Sequence, residues 1–253
     1  MNKEFQEKGI GIDNVAVNRK VLLLERAFEH AIWKIGRWAS EADKKAGKIY
    51  SKKEALKLFG VPQFTSFERN CLLNEGINEL WTILCSASGT KFDNATAQTG
   101  VGDNTGPVWA ASTAYALGAV VTPTTANNCV YECTTAGTSG TAEPTWPTTE
   151  GTTVTDNTAV WTCHTQAADA KQTNLIGANK AFVGMMTSFP TYGTDQKAIW
   201  KSSYDGTTAN YDWNEFIVRN GATALKDICR KVSAQGTKAS GQVWELSIQI
   251  TLS

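Results

Sequence analysis

Residues 243–252 read VWELSIQITL, and this run decides the fold class. Trp244, Leu246, Ile248, Ile250 and Leu252 fall on one side of an extended chain, with Glu245, Ser247, Gln249 and Thr251 on the other. A period of two, built from aromatic and β-branched residues, predicts an antiparallel strand with one face buried. Four more strand-length runs precede it: AFVGMMTSF (181–189), KAIWKSSY (197–204), YDWNEFIVR (211–219) and ALKDICRKV (224–232). Between them lie PTYGTD, DGTTAN and NGA, which are turn-forming. QTGVGDNTG (98–106) reads as a short strand running into a turn. The expectation is a mainly β protein whose body is an antiparallel β-sandwich, jelly-roll-like, made from 92–107 and 166–253.

The stretch between those two parts has a different composition. Residues 108–165 are dominated by Thr, Ala and Gly, contain no Lys or Arg, and carry Trp109, Tyr115, Tyr131, Trp146 and Trp161. A segment this poor in Leu and Ile cannot build a large core, so its rings either form a small one or face a ligand. An inserted small β module fits both possibilities. Trp109 and Trp161 are expected in its core. Tyr115, Tyr131 and Trp146 are the candidates for stacking on the apolar faces of sugar rings, with Asn127, Asn128 and Asp156 as polar neighbours for hydroxyls.

The N-terminal part is expected to be helical or mixed over 15–91, after an extended arm at 1–14. Val17, Val21, Leu24, Phe28, Ile32, Ile35 and Ala39 follow helical spacing, although AIWKIGRW (31–38) also alternates like a strand. SEADKKAGK (40–48) reads as a polar continuation or turn. Ser51-Lys-Lys-Glu54 is a capping box opening a helix that stops at Gly60-Val-Pro62. NCLLNEGINELWTILCS (70–86) gives a second helix, with Leu72, Leu73, Ile77, Leu80, Trp81 and Leu84 on its apolar face.

Acidic and basic side chains balance at 24 each, which speaks against nucleic acid and anionic membranes as partners. No apolar run approaches the roughly 20 residues that span a bilayer. The opening MNKEFQEKGIGIDN lacks the apolar core of a secretory leader, so secretion is not expected. Of six Cys, at 71, 85, 129, 133, 163 and 229, most are expected to be reduced and buried; a Cys133–Cys163 disulfide is the alternative. Metal binding is not expected. His30 reads as a solvated helix position, and His164 follows Cys163 directly, so the two point to opposite faces of a strand. GVGD (100–103) lacks the helix that a phosphate cradle needs. Asp93, Asp103, Asp205, Asp212 and Glu215 offer carboxylates for glycoside hydrolysis, but no spacing singles out a pair. No catalytic residues and no cofactor are assigned.

Two resemblances fit this dissection. LLNEGI (72–77), GVGD (100–103) and RKVSAQGTK (230–238) with Trp244 resemble, in order, a widespread group of tailed-bacteriophage virion structural proteins; the likeness covers about half the chain. Trp109 with AY-x2-G (114–118), VYEC (130–133), GTSG-x3-PTWP (137–147) and VWTC (160–163) is similar to small chitin- and cellulose-type carbohydrate-binding modules, which recur as insertions in phage surface proteins. The first resemblance implies a non-catalytic protein of the virion, assembled in the host cytoplasm. Its partners would be the major capsid protein or tail and neck proteins, and copies of itself as a homo-oligomer. The second implies contact with host-surface or environmental glycan. A capsid-attached decoration protein is the first expectation. A tail fibre or a neck or collar adaptor is the second, and a polysaccharide or cell-wall hydrolase the last.

Overall fold

The computed structural model describes residues 31–86, 88–221 and 225–251. The expected arm at 1–14, the first part of the expected helix at 15–39, and Leu252 lie outside them. The described chain is mainly β and its sheets are antiparallel.

Two five-stranded sheets form a sandwich-like body. The first runs β12 (Thr191–Thr194), β13 (Lys197–Tyr204), β16 (Val243–Thr251), β1 (Ala31–Trp38), β2 (Phe64–Glu68). The second runs β11 (Lys180–Gly184), β4 (Ala97–Gly102), β14 (Glu215–Asn220), β15 (Lys226–Val232), β3 (Cys71–Leu72). One core lies between them, with Trp33, Trp200, Trp244, Leu246 and Ile248 from the first sheet against Val101, Phe216 and Val218 from the second. The period-two reading of 243–252 holds over the described residues: Trp244, Leu246, Ile248 and Ile250 are buried inward.

The helical expectation for 15–39 fails where it can be checked. Ala31–Trp38 is a strand, paired along its length with β16 from Ala31↔Ile250 to Trp38↔Val243. Alternation outweighs helical spacing because the neighbouring strand is there to be completed. In this register Ala31, Trp33, Ile35 and Arg37 are all fully buried. Arg37 is tolerated inside because its guanidinium stacks 4.5 Å above the Trp244 ring and donates to the carbonyls of Pro62 and Gln235. Burial lowers its pKa to about 10. Residues 31–72 therefore contribute β1, β2 and β3 to the two sheets of the body, with two short helices between β1 and β2.

The helices are short. The polar stretch after β1 contains α1 (Glu41–Lys45), capped by Ser40. The capping box at Ser51 is formed as read, and α2 (Lys52–Phe59) ends at Gly60 in the left-handed region. The second expected helix begins later, as α3 (Asn74–Ser86), since Cys71 and Leu72 pair with β15 at the sheet edge. Leu80 and Ile83 turn toward the core, while Trp81 and Leu84 are 61% and 74% exposed rather than on the buried face. Gly76 lets α3 lie directly on β15: a Cβ there would sit 2.4 Å from the Asp227 carbonyl oxygen. No helix among the described residues is long and apolar enough to cross a membrane.

Between β4 and its sheet neighbour β11 the chain makes one excursion. It contains β5 (Ala114–Tyr115), β6 (Val120–Val121), β7 (Cys129–Thr135), β8 (Gly137–Thr138), β9 (Thr153–Asp156) and β10 (Ala159–Thr165). These form a four-stranded sheet, β6-β7-β10-β9, and a two-stranded ribbon, β5-β8, with a hydrophobic cluster of their own. The excursion is pinned where it leaves and returns. Gln166 donates to the Asn104 carbonyl at 2.8 Å and its own carbonyl accepts from Asn104 Nδ2 at 3.3 Å.

Candidate functional site

The inserted module concentrates its chemistry on one sheet face. Alternation places Cys129, Tyr131 and Cys133 of β7 beside Ala159, Trp161 and Cys163 of β10, and all six are buried. Trp109 and Trp161 are core residues, as expected, at 8% and 0% exposure. Their indole N–H groups converge on a single carboxylate, Asp156, at 2.8 and 3.2 Å, and the Gly140 amide donates to its other oxygen at 2.7 Å. Asp156, read from sequence as a polar neighbour for hydroxyls, is thus an internal anchor and only 3% exposed.

The three aromatic candidates do come together, around Trp161. Tyr115 meets it edge-on with centroids 4.8 Å apart, and Trp146 meets it at 6.0 Å. Trp146 lies over Tyr131 at 4.2 Å, tilted by 36°. Their polar atoms are already engaged. Tyr131 is fully buried; its hydroxyl donates to the Pro147 carbonyl and accepts from Asn127 Nδ2. Burial pushes the Tyr131 phenol well above its ordinary pKa. The Tyr115 hydroxyl accepts from the Ala110 amide. Trp146 donates to Glu143, whose carboxylate also receives the Thr124 amide. Asn127 further accepts from the Cys129 amide, and Asn128 turns the chain with a φ of 62°. What Tyr115 and Trp146 leave half-buried is ring surface.

The expected alternative disulfide is not formed: Cys133 and Cys163 are both free. Cys133 pairs with Trp161 and Cys163 with Tyr131, so the two cysteines sit diagonally across the ladder. Diagonal positions are about 7–8 Å apart at Cα, beyond the usual reach of a disulfide. The Cys133 thiol donates to the Thr135 carbonyl instead. Burial, with the neighbouring Cys129, pushes the Cys163 thiol up to about 12, which keeps it protonated and unreactive.

Where the module joins the body, GVGD and RKV meet. Arg230 and Glu215 form an ion pair 2.7 Å long with both side chains fully buried. Glu215 also accepts from the Ile176 and Gly177 amides, and Arg230 donates to Gln172 and Asn104. Gly102 lies against the Glu215 side chain, where a Cβ would be 2.4 Å from an oxygen. Asp103 accepts from Asn179 and from the Thr105 amide. Sequence spacing alone did not single out this network. Its trace in the sequence was the order of the GVGD and RKV motifs, which marks the junction rather than a site.

Of the carboxylates considered for hydrolysis, Asp103 and Glu215 lie together beside Gly177, each engaged by its own hydrogen-bond donors, and the others have separate tasks. Asp93 caps a turn through the Ala95 and Thr96 amides, Asp205 does so through Thr207 and Thr208, Asp212 accepts from Thr237, and Glu215 holds Arg230. Among the described residues no cluster of His, Cys, Asp and Glu is placed to hold a metal ion. His164 lies 2.7 Å from Glu150 and 3.7 Å from Glu132. His30 lies outside the described residues.

No protein-family model matches the chain, no curated protein matches it, and no solved structure matches its fold.

Proposed function

We propose that this protein is a non-catalytic structural component of a tailed-bacteriophage virion, attached to the capsid as a decoration protein. The body grips the particle and the module is displayed. The observation that carries this reading is the polarity of the body. β4 runs from Ala97, at one end of the sandwich, to Gly102, where the module leaves and returns between adjacent strands. The opposite end carries α3, with Trp81 and Leu84 exposed, and the point where the chain enters β1. An end with exposed Trp81 and Leu84 and a ring-bearing end without Lys or Arg suit a protein fixed at one side and presented at the other. Shell stabilisation then comes from area buried at subunit contacts and scales with occupancy.

Gel densitometry of purified virions tests the reading. A copy number on the scale of the capsid lattice supports it. A number matching a tail fibre or a neck ring replaces it with the adaptor reading, and absence from the particle removes both. For the displayed module, the available chemistry is stacking on sugar rings by Tyr115 and Trp146. Retention on a glycan array should be lost in the Tyr115→Ala, Trp146→Ala double variant while the strands persist by circular dichroism. No retention by the unaltered protein ends the glycan part.

A further inference from the structure

The end of the body away from the module holds a cleft of about 600 Å³ that the proposed function does not use. Leu72, Leu80, Ile83, Phe92, Trp200 and Ile250 line it, so its walls come from both sheets and from α3. A cleft of this size with so few polar groups is suited to several apolar side chains rather than to a polar ligand.

The chain itself delivers such side chains to this place. Ala31, Ile250 and Ala198 form one row across the first sheet, and Ile250 and Ala198 are cleft residues. The chain therefore enters β1 at the cleft wall, with thirty residues of sequence before Ala31. Within them Val17, Val21, Leu24 and Phe28 recur at the i, i+4, i+7, i+11 spacing of one helix face. That face cannot continue past residue 30, because Ile32 and Ile35 belong to β1 and point to opposite sides of the sheet. Glu25 and Glu29 flank the stripe on one side, and Lys91 stands among the cleft residues. Phe28 is three residues from Ala31, which is at most about 11 Å of extended chain. Closure within one chain then needs only a short tether, so the local concentration of the stripe is high.

We propose that the stripe Val17, Val21, Leu24 and Phe28 of this same chain seats in the cleft, closing the end of its own sandwich. The inference is independent of the virion reading. Placing a photoreactive benzoylphenylalanine at position 28 of the full-length protein tests it, using a mixture of isotopically heavy and light chains. The expected result is cross-links within single chains to peptides containing Leu80–Phe92 or Lys197–Trp200. Cross-links between heavy and light chains, or to neither peptide, overturn it. In a second arm, Leu24→Asp with Phe28→Asp should raise binding of an anilinonaphthalene sulfonate dye several-fold with the β-sheet circular dichroism unchanged. Unchanged dye binding also overturns it.

Discussion

The body and the module solve the same problem with different materials. The body has the residues for a large interior, with Trp33, Trp213, Trp244, Phe216 and a row of Ile and Leu fully or nearly fully buried. It also encloses two ion pairs, Arg230–Glu215 and Arg219–Asp227. Burial lifts the Asp227 carboxyl to about 6 even beside Arg219. The module has no comparable supply of aliphatic side chains. Its interior is three cysteines, Trp109, Tyr131, Trp161 and a few small residues, and each of these rings is tied through its polar atom. A small core thus gains order from rings whose N–H and O–H groups have fixed acceptors, where a large one gains it from volume. The two regions should therefore fail in different ways.

The largest effect is expected in the body. Glu215→Gln leaves the buried Arg230 guanidinium without its counter-charge and turns an amide toward the Ile176 and Gly177 N–H groups. Loss of one partner of a buried pair costs about 3–5 kcal/mol. Urea unfolding should show that loss, and a change below about 1 kcal/mol would mean the pair is not dry.

A somewhat smaller and more local effect separates the module from the body. Asp156→Ala removes the acceptor of two buried indole N–H groups and the Gly140 amide. Buried donors left unmade cost about 1–3 kcal/mol each, and partial collapse around the smaller side chain brings the total to about 3 kcal/mol. Amide exchange should speed up in β7 and β10 while β16 keeps its protection. Equal acceleration in both would show that body and module unfold as one unit, and the comparison would break.

How much of this was readable beforehand follows from the length of each signal. The run at 243–252 was legible because its alternation is unbroken and one partner strand lies on each side. The capping box at Ser51 was legible because it is a contact between residues three apart. AIWKIGRW was misread because its apolar positions satisfy two periods, and only the distant β16 selects one. Among the rings of the module, Trp109 and Trp161 lie in the core where the sequence puts them, whereas Tyr131, read as a ring for stacking, is fully buried. Asp156 looks like any exposed acid until Trp109, 47 residues earlier, is brought to it. Trp146 gave no sign that Glu143, one helical turn away in sequence but not in a helix, holds its N–H.

The smallest effect tests the joint between the two regions and is read through pH. Glu150 lies in the module, and its carboxylate lies 2.7 Å from His164 Nδ1 and accepts from the Thr165 amide and Gln172 Nε2 at 2.8 and 3.0 Å. Gln172 in turn accepts from Arg230, so Glu150 is the module's end of a chain that reaches the buried Arg230–Glu215 pair. Burial by itself would raise the Glu150 pKa, but these hydrogen bonds and the nearby His164 outweigh it, and the net direction is downward from 4.5. A carboxyl whose folded pKa lies below its unfolded one stabilises the fold fully above the unfolded value. That contribution is lost as pH falls through the folded value. The stability difference between the unaltered protein and Glu150→Gln should then be constant near neutral pH and shrink in the acid range below 4.5. Amide exchange at Thr165 should lose protection over the same interval, before β16 does. If the difference persists unchanged into acid, the carboxylate charge contributes nothing at the joint, and the module is held by the other contacts there, among them the side-chain amides of Asn104 and Gln166 on each other's carbonyls.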